Sequence, residues 1–161
     1  MLNEKTDSIL IIGIGNSGRS DDGFGWLMLN AIEDQFPLVE VAYRYQLQIE
    51  DAELISHYKT VIFIDATKEK TNKGFFFKSC TPANHFSFSS HSLDPETVLW
   101  LENDLFQTLP TSFVMGIEGY SWELSHQTSE KGISNMEKAK TCLFHNLSLI
   151  TKNKVPICSE K

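Results

Sequence analysis

Cysteine is scarce in this chain. Cys80, Cys142 and Cys158 are scattered through 161 residues without a C-x-x-C pair, which argues against a zinc knot or a disulfide framework and for reduced thiols in a cytosolic protein. No apolar run approaches the ~20 residues of a membrane span, and MLNEKTD lacks the basic and apolar regions of a signal peptide. The expected setting is therefore the cytoplasm, away from the membrane. Positive charge is in deficit, with 14 Lys and Arg against 21 Asp and Glu and a formal charge of −7. Nucleic acid binding rests on many cationic side chains over phosphates, so that class is disfavoured. The H-E-x-x-H of zinc proteases and the G-x-S-x-G of serine hydrolases are also missing.

What is present is the make-up of one globular domain over residues 1–161, 41% hydrophobic and 22% charged. The isoleucine-rich run 8–14 reads as a buried strand. A helix follows over about 23–36, with Trp26, Leu29 and Ile32 at helical spacing and Pro37 closing it. Alternation over 39–45 marks a second strand, 51–58 a short helix, and "TVIFIDA" at 60–66 a third, buried strand. "GFFFK" at 74–78 is a fourth, followed by an irregular Ser/Phe/His-rich loop over 81–92. Asp94-Pro95-Glu96 opens a helix, with Asp as N-cap and Pro at the first position. A fifth strand spans 112–117, and an amphipathic helix 135–150 precedes a polar tail, 152–161, expected to fray. Alternating strands and helices predict an α/β protein, a three-layer α/β/α sandwich on a mostly parallel sheet of about five strands.

The first strand runs into Gly13-Ile14-Gly15-Asn16-Ser17-Gly18, which spells G-x-G-x-x-G. A dinucleotide site needs its third glycine to open the helix and an acid at the tip of the second strand. Here four polar residues, Arg19-Ser20-Asp21-Asp22, follow Gly18, and the second strand ends in Tyr45-Gln46. Carboxylates at the helix start would also compete for the amides that receive phosphate. The simplest alternative is that Asp21 or Asp22 caps the first helix.

Asp65 ends the third strand, and the carboxyl ends of parallel strands are where such sheets place their sites. His91 lies in the irregular loop. Separately, these residues read as caps and a surface histidine. Brought together, Asp22, Asp65 and His91 would form a mixed oxygen and nitrogen metal site with open positions.

The segment Gly13-Ile14-Gly15-Asn16, followed by Asp21-Asp22-Gly23-Phe24-Gly25, resembles the G-x-G-N and D-D/E-G-x-G pattern of the hydrogenase maturation endopeptidases. That family trims the C-terminal extension of the nickel–iron hydrogenase large subunit. "VIFIDA" resembles its strand ending in a metal-binding Asp, and "SSHSLDPETVL" its histidine stretch and following helix. Spacing agrees, with 43 residues from Asp22 to Asp65 and 26 more to His91.

The resemblance implies that Asp22, Asp65 and His91 are both catalytic and nickel-binding, with Asp21 a cap or supporting partner. It implies an aspartyl-type protease, monomeric, whose nickel arrives in the hydrogenase large-subunit precursor. Aspartate and neutral imidazole suit such an ion, whose sharing would position the scissile peptide for attack by an activated water. A noncatalytic nickel-docking module would use the same three residues. Departures fall at Ser90, where the family has proline, at Tyr45–Glu50 in place of a G-G-T turn, and at Glu118–Glu123.

Overall fold

Strands β1 (Ile9–Ile14) and β3 (Thr60–Thr67) are buried along most of their length, as unbroken apolar runs require in a sheet covered on both faces. The computed structural model describes residues 8–86 and 93–159. With β2 (Glu40–Arg44), β4 (Phe75–Cys80) and β5 (Thr111–Glu118) these strands form one sheet in the order β2-β1-β3-β5-β4. All neighbours are parallel except β4, which runs antiparallel to β5 at the edge.

Helices α1 (Phe24–Gln35) and α4 (Glu130–Ile150) cover one face, while α2 (Asp51–Ser56) and α3 (Pro95–Leu105) cover the other. On the first face Met28, Leu29, Leu143 and Leu147 pack against Ile11, Ile62 and Met115. On the second, Ile55, Val98 and Leu99 pack against Leu10, Ile12 and Phe63. Each fully buried aliphatic side chain contributes about 1.5–3 kcal/mol. Strict alternation along β1 and β3 sends odd and even residues to opposite cores, so both layers are needed. The three-layer α/β/α sandwich is thus as expected. Among the described residues no helix is long and apolar enough to cross a membrane.

Asp94 is the N-cap of α3, accepting from the Thr97 amide at 2.7 Å, with Pro95 at the first position. α4 begins at Glu130, five residues before the expected start, because Ser129 caps it and its Oγ accepts from the Gly132 amide at 3.0 Å.

The tail also differs from expectation. Expected to fray over 152–161, it is held as far as Ser159, which exchanges two 2.7 Å backbone hydrogen bonds with Phe77 of β4. The buried Asn146 clamps the approach: its Oδ1 accepts from the Ile157 amide at 2.7 Å and its Nδ2 donates to the Ile157 carbonyl at 3.2 Å. The tail thus covers backbone groups that edge strand β4 would otherwise present to solvent. Asn146→Ala is expected to destabilise the protein by about 1–3 kcal/mol and to release the tail. Faster hydrogen exchange at Ile157 and Ser159 would report the release; unchanged protection would disprove the clamp.

Candidate functional site

The chain leaves β1 through Gly15, whose φ of +135° favours glycine. A Cβ there would lie 2.0 Å from the Asp22 carbonyl oxygen. The turn therefore folds onto its own downstream backbone, and the Asn16 amide donates to that carbonyl at 3.1 Å. The Gly15 amide donates to Arg44, the Gly18 amide to Asn16 Oδ1 and the Arg19 amide to the Asn16 carbonyl. These amides brace a 3-10 turn, Ser20–Gly23, and being engaged within the chain they are not presented to a phosphate. At Gly25 a Cβ would meet the Ile14 and Ile64 carbonyls at 2.6 and 2.8 Å. Only a bare Cα lets α1 start directly over the carboxyl ends of β1 and β3.

That close approach sets Asp22, in the turn after β1, beside Asp65 at the exit of β3. Two cavities open on them, and both acids line both. One, about 260 Å³, continues over Tyr45, Gln46, Leu47, Leu93 and Asp94. The other, about 290 Å³, is closed by Arg19, Lys68 and Trp122, with Lys68 Nζ 5.1 Å from the Trp122 ring centre. The carboxyl pair is the partition between them.

Burial and the Asp22 charge push the Asp65 carboxyl up to about 7, partly offset by the Ala66 amide. Burial also raises Asp22, against the Asn16 amide and the charges of Arg19 and Lys68. Two acids that resist ionising together form a site in which a cation would relieve the strain. Their donor chemistry, carboxylate oxygens facing open volume, fits a metal with free coordination positions.

Neither acid caps α1. Its N-cap is Gly23, with no side-chain cap bond. Asp21 turns away from the cavities into the protein, accepting from the Tyr120, Ser121 and Ser129 amides and from Ser129 Oγ. It thereby ties the 3-10 turn to the loop before α4.

His91 lies outside the described residues, so the structure joins two of the three expected site residues. Among the described residues no group of three or more His, Cys, Asp or Glu could hold a metal ion. The sheet does constrain the route of the chain. Because β4 is antiparallel, its last residue, Cys80, lies opposite Ser112, near the amino end of β5. The chain returns through Ala83, whose amide donates to the Glu96 carbonyl, and Leu93 bridges to Leu47 on the wall of the first cavity.

Sequence reasoning missed Arg19, Lys68 and Trp122 as site walls, and Asp51, which fixes the loop bearing Gln46. Asp51 is 2% exposed and accepts from Arg44 Nε and the Gln48 amide, both at 2.8 Å. Its position opening a helix after a polar loop was the one available signal. The two stretches that depart from the family pattern contribute Tyr45, Gln46 and Trp122 to the cavity walls.

No protein-family model matches the chain, and no curated protein matches it in sequence. Solved structures do. The [NiFe] hydrogenase maturation protease HycI from Thermococcus kodakarensis KOD1 superposes with a TM-score of 0.66 at 23% identity, covering 88% of this chain and 93% of that one. The hydrogenase maturating endopeptidase HybD from E. coli gives 0.62 at 18% identity, covering 88% and 92%. The hydrogenase 2 maturation peptidase from Thaumarchaeota archaeon SCGC_AB-539-E09 also gives 0.62 at 18%, covering 88% and 99%. With its five-stranded sheet, antiparallel edge strand and paired helical layers, the chain has the fold of these solved hydrogenase maturation proteases.

Proposed function

We propose that the protein is an endopeptidase that removes the C-terminal extension of a nickel-loaded hydrogenase large-subunit precursor. The observation that carries this reading is the Asp22–Asp65 pair, standing between two open cavities at the carboxyl end of the sheet. The shared fold supports it. In this reading Asp22 and Asp65, with His91, meet the substrate's nickel through oxygen and imidazole nitrogen, while the substrate's thiolates keep their own hold. Asp65, pushed up to about 7, holds a proton when the site is empty and yields it when a cation arrives. Arg19 and Lys68 supply positive charge beside the pair, suited to an oxygen that becomes anionic during attack.

Incubating the purified protein with precursor, with and without nickel, and weighing the product by mass spectrometry tests this directly. Cleavage near the precursor's C-terminus is expected with nickel only. Tight nickel-dependent binding without cleavage would overturn the protease reading in favour of a docking module, and indifference to nickel would overturn recognition through the metal.

A further inference from the structure

Beyond the acidic pair, a cavity of about 420 Å³ lies where β5 ends, β4 begins and α4 passes. Four lysines line it, Lys70, Lys73, Lys131 and Lys138, with Glu118 the one acid. In a chain of formal charge −7 with 14 Lys and Arg in all, this is a marked concentration of positive charge. Glu118 is ionised and acts on Lys131, so it offsets one of the four charges and leaves the lining with an excess of positive charge. One carboxylate oxygen accepts from the Thr71 amide at 2.9 Å and from Thr71 Oγ1 at 3.1 Å, and the Tyr120 hydroxyl bonds the group as well.

The cleft is built as well as charged. Buried Asn135 donates through Nδ2 to the Glu118 carbonyl at 3.1 Å and to the Tyr120 hydroxyl at 2.9 Å, fixing the floor. Lys131 Nζ sits 4.6 Å from the Tyr120 ring centre, so one wall offers an aromatic face beneath a cation.

We propose that this cleft docks an acidic, extended segment of a partner polypeptide. Its lysines come from two separate stretches of chain and are distributed round an open trough. A lone phosphate would need convergent donors, yet the Thr71 amide is already engaged by Glu118. A nucleic acid would meet an acidic molecule outside this one patch. An acidic peptide is repelled by most of the surface and attracted here, which sets its orientation as well as its address. The cleft adjoins the metal-facing cavity along the chain, Lys70 being two residues beyond Lys68. A segment held here thus lies on the same end of the sheet as Asp65.

The test needs neither nickel nor proteolysis, so its outcome is independent of the endopeptidase reading. A fluorescent glutamate-rich decapeptide is titrated at low ionic strength against the intact protein. The same titration is run on Lys70→Glu/Lys73→Glu/Lys138→Glu and on a charge-matched control, Lys78→Glu/Lys152→Glu/Lys154→Glu. Circular dichroism checks that each is folded. Binding is expected to weaken about tenfold or more in the cleft variant and by much less in the control. Amide resonances of Thr71, Gly74 and Lys131 in the wild type are expected to shift with peptide, which keeps the test valid should the variant misfold. Equal weakening in both variants, or unmoved amides, would overturn the proposal. So would competition by inorganic phosphate at peptide-like concentration, or tighter binding of an oligothymidylate.

Discussion

Asp65→Asn is expected to slow processing of the nickel-loaded precursor by at least about 100-fold, the scale of a lost positioning contact, while making the protein harder to unfold above neutral pH. Both effects have one cause. In the wild type the Asp65 carboxyl is desolvated and faces Asp22, so it titrates at about 7 instead of its ordinary 3.8. A folded-state pKa above the unfolded value favours the folded state fully at low pH, and that advantage is lost as pH rises through about 7. Asparagine never ionises. The variant should therefore gain on the wild type between about pH 4 and 7, and hold its lead above that. The whole displacement corresponds to about 4 kcal/mol; local relaxation reduces the expected gain to about 2 kcal/mol, or roughly 4–8 °C in Tm for a domain of this size. Thermal melts across pH provide the check. A gap that does not change with pH, or a variant less stable at every pH, would show that the carboxyl pair stores no such strain.

Asp21, one residue from Asp22, should behave in the opposite way. Its side chain is 0% exposed and accepts four hydrogen bonds, at 2.6 Å from Ser129 Oγ and at 2.7, 2.8 and 3.1 Å from the amides of Tyr120, Ser129 and Ser121. Burial alone would raise its pKa, but the Ser129 hydroxyl and the three amides outweigh burial and lower it. Asp21→Ala removes every acceptor and leaves those donors in a closed space, so a loss of about 3–5 kcal/mol is expected in urea unfolding. The wild-type advantage should be complete above the ordinary carboxyl range and shrink as pH falls below about 4, because a depressed pKa stabilises only the ionised form. A loss below about 1 kcal/mol would mean that the loop before α4 stands without this anchor. Adjacent acids thus have separate work, Asp21 holding the turn and Asp22 facing the cavities.

Much of the architecture was legible in particular residues. The apolar runs in β1 and β3 could be buried only between two helical layers, and Asp94-Pro95 marked the start of α3 because a cap and a proline satisfy or remove orphan amides locally. Asp65 at a strand's end and Asp22 after a glycine turn were visible for the same reason: short-range chemistry leaves short-range signals. The direction of β4 was written more faintly, in the seven residues 68–74, too few for the crossover that a parallel strand requires. The early start of α4 was hidden by Gly132, which breaks the apolar period in the first turn.

Other features had no local signature. Asp21 meets partners 99 to 108 residues away, and the tail's hold on β4 joins Ser159 to Phe77. The basic cleft assembles lysines from the β3–β4 loop and from α4, and Trp122 reaches the Asp65 cavity from the loop after β5. Periodicity, capping and turn chemistry act over a few residues, so the sequence by itself determined the elements, their layering, the acid near the end of β3 and the acids in the turn after β1. Which charges face one another, and which of two neighbouring aspartates points into the open cavities, follows from strand order and helix approach. Those are settled only when the whole chain packs, and the tertiary structure decided them.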